Sequence, residues 1–508
     1  MVAPVVAREG CWVGGLSKTG FAVQCRNDAP SSQAATLKVN VYADKNYEHE
    51  VTGYSSTSEI LSSIHHFRAT VYIDDLKPNT HYWWRVSMVE VAVPNDVTLG
   101  DEKTFSAGCL KTLPEIKDTW KIGYFGCTAH SSLFFDDGAL RVAKLWYKAS
   151  QENFLAHIHQ GDIYYPDIGE TTVGYTDYAQ AHFKRPASHA DADAAAFRTS
   201  FINSYSGLTY NGPKITNSMA RNYSLVNEAA KFKSSVPCYA MWDDHDRAFN
   251  DCSDRANATG AKLNRWNTGR DVGHEVFMNL NKSLIDSDTD SNGVARNFTA
   301  YSSEDAYYII DIEPVRFIVL DCRTYRDLYT EPDVPNKSML GAEQKDWFKA
   351  RVDDNPHKYL IICNGIMFDG AHGWEESYLD GWVNYSFERD ELLNYIWQNG
   401  DASRTISLVG DTHEAGVFKF RGPNNSHQPV YEILCGNSGW NGSYHGFISG
   451  LKAGVSGNGA ELEAMFTGSM GYISIEHVNS DLVISLVCAS TAMLDGQPEG
   501  VIWMKVFK

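Results

Sequence analysis

A chain of 508 residues exceeds what one ordinary core organises, so two domains are expected. Apolar content of 43% and aromatic content of 12% fit packed globular structure, and no apolar run is long enough to span a membrane as a helix. The formal net charge of −19 argues against a nucleic-acid-binding surface or an anionic membrane, so an anionic substrate would need a local positive site to draw it in.

The start, MVAPVVAREG, has no signal-peptide core and reads as a mature form with an added Met. Residues 1–115 alternate apolar and polar positions in short runs, among them Phe21–Cys25, Leu37–Tyr42 and Phe67–Ile73, with turn residues between them. This pattern predicts an all-β sandwich. Cys11 and Cys25 flank a segment symmetric about Ser17-Lys18-Thr19; a hairpin there either joins them in a cross-strand disulfide or leaves two unpaired apolar residues. Leu76-Lys-Pro-Asn-Thr-His-Tyr82 resembles the tyrosine-corner strand of fibronectin type III modules, which implies that the Tyr82 hydroxyl folds back onto the preceding turn. The block is either a binding module or a packing partner for an enzyme, and the absence of an exposed motif favours the second.

Residues 116–508 have a different rhythm. Short apolar strands end in polar residues at Cys127, Asp162, Asp244, Asp321, Asn364 and Asp411, with helical stretches between them. One such stretch, Glu388–Trp397, gathers Leu392, Leu393, Ile396 and Trp397 on one face, with Gly400 as a stop. The expected architecture is a layered α/β domain with the strand ends converging on one edge. Residues 166–235 and 436–470 are expected to be excursions rimming that edge, and the tail from Gly471 returns to β-structure through an Asn479-Ser480-Asp481 turn.

Four motifs carry chemistry. Ala240-Met-Trp-Asp-Asp-His-Asp-Arg-Ala-Phe-Asn-Asp251 crowds four carboxylates and a histidine after a buried strand. Adjacent carboxylates resist burial unless something positive offsets them, which points to a metal. Gly161-Asp162-Ile-Tyr-Tyr165 offers a carboxylate and a phenol at a strand end, although a helix-capping aspartate has the same signature. Asp411 and His413 in Gly-Asp-Thr-His are spaced to face one ion, or His413 is an ordinary loop histidine. Cys127 ends the first strand of the block; a buried free cysteine is usually inert, and only its neighbouring strand makes it a ligand candidate.

Taken in order, Cys127, Gly-Asp162-x-x-Tyr165, Trp-Asp-Asp244-His245-Asp and Gly-Asp411-x-His413 resemble the PhoD-like (alkaline phosphatase D) branch of the calcineurin-like metallophosphatases. Phe317–Arg326 (FIVLDCRTYR), Leu340–Trp347 and Trp382 with Tyr385 extend the likeness, as does a β-sandwich ahead of the phosphatase domain. The resemblance implies that Cys127, Asp162, Tyr165 and His413 hold ferric iron, and that Asp162, Asp244 and Asp411 hold calcium. Thiolate, phenolate and imidazole suit a transition metal, whereas an all-oxygen set suits a hard cation. His245 falls where metallophosphatases place a histidine that donates to phosphate or the leaving group.

Asp-Asp244-His and Gly-Asp411-x-His replace the Gly-Asn-His and Gly-His-x-His of purple acid phosphatases. Asn364 stands where relatives often carry a further metal-binding histidine, and reads best as a strand-end hydrogen-bonder. His157 and His159 read as structural, while Asp246, Asn250 and Asp251 either support the second metal or cap the next segment.

The expected function is hydrolysis of small phosphate esters by metal-activated water attacking phosphorus in line, with His245 as general acid. The alternatives are a phosphodiesterase or nucleotidase on the same site, or a secreted calcium-binding module with a dead site. The sequons at Asn222, Asn257, Asn281, Asn297, Asn336, Asn384, Asn424 and Asn441, with the candidate disulfide, favour a secreted glycoprotein.

Overall fold

The computed structural model describes residues 9–27, 35–51, 56–57, 68–90, 103–114, 118–127, 145, 148–163, 232, 235–247, 273–274, 277–278, 298–300, 306–368, 381–411, 415–436, 460–466, 470–490 and 500–508. The first block is the expected sandwich. β1 (Glu9–Gly14), β2 (Phe21–Asn27) and β5 (Arg68–Ile73) make one antiparallel sheet. β3 (Ala35–Tyr42), β4 (Ser56–Thr57), β6 (His81–Glu90) and β7 (Lys103–Lys111) make the other. Cys11 lies directly opposite Cys25 in the β1–β2 hairpin, and the two form a disulfide. The Lys77 backbone N–H donates to the Tyr82 hydroxyl at 2.9 Å, which closes the tyrosine corner.

The second block has two sheets. In one, β8 (Trp120–Phe125), β9 (Ala156–His159) and β10 (Cys238–Ala240) run parallel. In the other, β11 (Phe298–Ala300), β12 (Tyr308–Ile312), β13 (Val315–Val319), β14 (Tyr359–Asn364), β15 (Thr405–Val409), β16 (Ala415–Phe420), β17 (Val430–Leu434) and β18 (Ala460–Phe466) pair in the order β11-β12-β13-β14-β15-β17-β16-β18. Its centre, from β13 through β14 and β15 to β17, is parallel. These central strands are buried on both faces, so they appear in the sequence as mainly apolar runs without alternation, with Arg316, Ser407 and Glu432 as buried polar interruptions. The tail returns to the first sheet as β19 (Met470–Val478), β20 (Asp481–Ser490) and β21 (Gly500–Phe507), with β19 antiparallel to β8. The β19–β20 turn takes positive φ at Asn479 and Ser480, which suits the expected two-residue hairpin.

The two sheets stack face to face. Inward side chains such as Ile122, Tyr124, Ile361, Cys363, Leu408 and Ile473 share one buried cluster that continues into the sandwich through Val13, Leu16 and Trp84. The Tyr124 hydroxyl spans the gap to donate to the Leu408 carbonyl at 3.2 Å. The outer face of the larger sheet carries the helices α2 (Gly341–Asp353) and α3 (Ser386–Asn399) over Ile318, Leu360 and Ile362. As expected, α3 buries Leu392, Leu393 and Ile396, half-buries Trp397 and stops at Gly400. A four-residue helix, α1 (Asp244–Arg247), follows β10. Most of the two expected excursions lies outside the described residues, but Ala460–Phe466, expected in the second, is instead the strand β18 paired with β16.

Candidate metal centre

The parallel strands point their carboxyl ends the same way, so the residues that follow β9, β10 and β15 meet. Oxygens of Asp162, Asp243, Asp244 and Asp411 lie within 4.8 Å of one another, and Asp162, Asp244 and His245 form a second, overlapping group with the same mutual reach. Every member except Asp411 is buried.

The backbone is bent to achieve this. Asp162 and Asp411 both have positive φ, at 53° and 55°, a region where aspartate and asparagine are among the few tolerated side chains. Each follows a glycine with no room for a side chain. A Cβ on Gly161 would lie 2.7 Å from the Asp243 nitrogen, and one on Gly410 would lie 1.6 Å from the Gln160 amide carbon. The Gly-Asp pairs therefore mark strand ends that turn sharply against neighbouring backbone or side chain.

Asp246 holds this turn together. Its carboxylate accepts from the backbone N–H groups of Asp162 at 2.6 Å, Ile163 at 2.9 Å and Asp243 at 3.1 Å. It ties the end of β9 to the start of α1 and caps the turns that carry Asp162 and Asp243. Asp321 is likewise a turn-former: it accepts from the N–H groups of Arg323 and Thr324, each at 3.0 Å. Asn364 accepts at its carbonyl from the Trp382 indole and the Cys322 thiol, both at 3.2 Å, as a strand-end hydrogen-bonder should. His157 packs among Phe125 and Phe232, and His159 accepts the Gly161 N–H at 3.3 Å.

Cys127 is buried at the end of β8 and belongs to neither carboxylate group; its sulfur accepts from Gln160 Nε2 at 3.0 Å. Tyr165, His413, Asn250 and Asp251 lie outside the described residues. The sequence shows Asp243 only as one of the crowded carboxylates beside Asp244 and does not single out Arg323. Asp243 joins the cluster beside Asp244, and Arg323, in the FIVLDCRTYR stretch, pairs its guanidinium with Asp243 from 80 residues away. The only sequence signal for Arg323 is its place just beyond a strand that ends on the same edge.

The electrostatics call for a cation. Burial, then the charge of Asp244, pushes the Asp162 carboxyl well above the usual carboxylate range, with His245 acting in the opposite direction. Carboxylate oxygens from three strand ends, all but that of Asp411 buried, fit a hard cation.

Residues 127–483 match the profile of the PhoD-like phosphatases, which is well over half of the chain. The chain belongs to the PhoD-like phosphatase family. Alkaline phosphatase D of Bacillus subtilis (strain 168) is 23% identical over 197 residues, 35% of this chain and 31% of that protein, so the chain spans about a third of the length of this curated relative. A solved structure described as that of PhoD superposes with a TM-score of 0.66 at 15% identity, covering 95% of this chain and 87% of the other. A PhoD-like phosphatase thus presents its carboxylates where its fold gathers strand ends.

Proposed function

We propose that this chain hydrolyses phosphate esters at the Asp162–Asp244–Asp411 cluster. The observation that carries the reading is the carboxylate quartet, buried but for Asp411, at the convergent strand ends of a chain in the PhoD-like family. Asp162, Asp244 and Asp411 would hold calcium, and Asp162 would share iron with Cys127, Tyr165 and His413. The bound metals would supply charge for the phosphoryl oxygens and a water of lowered pKa for in-line attack on phosphorus. His245, buried within reach of Asp162 and Asp244, would hand a proton to the leaving oxygen. Asp246 keeps the turns that carry Asp162 and Asp243 rigid, so the ligands are set before substrate arrives. The disulfide and the exposed sequon asparagines Asn336 and Asn424 support a secreted, glycosylated protein.

Replacing His245 by Ala tests the chemistry. Turnover of an aryl phosphate should fall at least about tenfold while metal content and circular dichroism stay those of the parent. An unchanged rate removes His245 from the mechanism. Elemental analysis with a visible spectrum tests the metals: iron with calcium and a phenolate/thiolate charge-transfer band is expected. Protein that lacks iron and calcium, and gains no activity from them, would refute the reading.

A further inference from the structure

Arg323 is fully buried, with no solvent exposure, in the middle of the acidic cluster. Its backbone is pinned by Asp321, and Asp321 is in turn held by Gln344, whose side chain accepts the Asp321 N–H and donates to its carbonyl, both at 2.8 Å. The guanidinium therefore projects from a rigid turn. Its Nε donates to Asp243 Oδ1 in a short charge-assisted bond. Its Nη2 lies 3.7 Å from Asp244 Oδ1 and 3.7 Å from Asp411 Oδ2.

These contacts differ in kind. The bond to Asp243 is direct, so one carboxylate of the quartet already has a permanent counter-charge. The 3.7 Å separations exceed hydrogen-bond length, so Arg323 attracts Asp244 and Asp411 without bonding them through Nη2. An arginine stays charged at any working pH, and its rigid planar fork holds several donors in fixed directions, whereas a lysine ammonium is a mobile point charge.

We propose that Arg323 is a protein-borne cation built into the metal centre. As a positioning residue it withdraws Asp243 from the ligand set, and its bond to Asp243 keeps the guanidinium from closing on Asp244 and Asp411, which stay available to the ion they share with Asp162. The proposal rests on the metal-dependent reading of the site, and it limits how many ions the quartet takes: without Arg323, Asp243 becomes a ligand and the cluster takes an additional divalent cation.

The test is calcium titration by calorimetry and metal analysis on the full chain, comparing the parent with Arg323→Gln, Asp243→Asn and the double variant. Arg323→Gln should bind one more calcium per chain than the parent. Asp243→Asn releases Arg323 onto Asp244 and Asp411, and calcium affinity should fall at least about tenfold. The double variant should return to the parental stoichiometry and to within about threefold of its affinity. Opposite signs in the single variants, cancelling in the double, are what a merely structural arginine would not give. Loss of calcium in all three variants, or no change in any, overturns the proposal. If Arg323→Gln does not fold, the fall in Asp243→Asn and its reversal in the double variant decide. Parent protein that binds no calcium removes the metal-dependent reading, and the proposal with it.

Discussion

At the residue scale, the candidate centre depends on side chains placed by unusual backbone. Asparagine tolerates the positive φ of Asp162 while removing its charge, so Asp162→Asn separates ligation from folding. Calcium binding should be lost and turnover should drop at least about a hundredfold. The metal-free variant should melt no lower than the metal-free parent, because burial and Asp244 make the charged form of Asp162 costly. Differential scanning fluorimetry with and without calcium reads both effects, and a lower melting point in the metal-free state would contradict this account. The choice between Asp243 and Asp244 shows what a sequence leaves open. The two are adjacent in the chain, and the arrival of Arg323 from beyond β13 gives Asp243 a counter-charge.

At the element scale, apolar runs ending in a polar residue announced the convergent strands, since parallel strands buried on both faces leave no alternation to read. The helix α3 was legible from its apolar stripe and terminal glycine. Not legible were the turns after the strands, where Asp246, Asp321 and Gln344 bind backbone through contacts distant in sequence. A different pair braces the β12–β13 hairpin. Arg316 donates to both oxygens of Asp311, through Nε and Nη2, each at 2.8 Å. Burial raises the Asp311 pKa, but Arg316 and His357 outweigh it and hold the carboxyl below its ordinary value. Its stabilising contribution is therefore complete above the unfolded-state pKa and disappears as pH falls through the lower folded-state value. Asp311→Asn should cost about 1–3 kcal/mol near neutral pH. It should also flatten the loss of stability between roughly pH 5 and pH 2, measured as urea midpoints. Parallel acid limbs in parent and variant would exclude this role.

At the scale of the whole molecule, the sandwich is packed onto the phosphatase sheets. The buried cluster is continuous across both, the Tyr239 hydroxyl donates to the Leu16 carbonyl at 3.3 Å, and Lys18 pairs with Glu313 at 3.6 Å. The Cys11–Cys25 bridge closes a loop with a sequence separation of 14 beside this junction. Cys11→Ser with Cys25→Ser should therefore cost about 3 kcal/mol and lower one shared calorimetric transition. Two transitions, of which only one moves, would show that the blocks unfold separately. A first block packed against the second was the favoured expectation, but the residues of the shared core were not legible, because packing between blocks leaves no periodic trace. The left-handed aspartates also bear on how this gene can drift. From an aspartate codon, one base change reaches asparagine or glycine, the replacements that keep the backbone of positions 162 and 411 comfortable. Both discard a ligand charge. Lineages that lose selection for these ligands should thus pass readily to silent copies that still fold, and loss of the ligand charges in this architecture would leave little mark on shape.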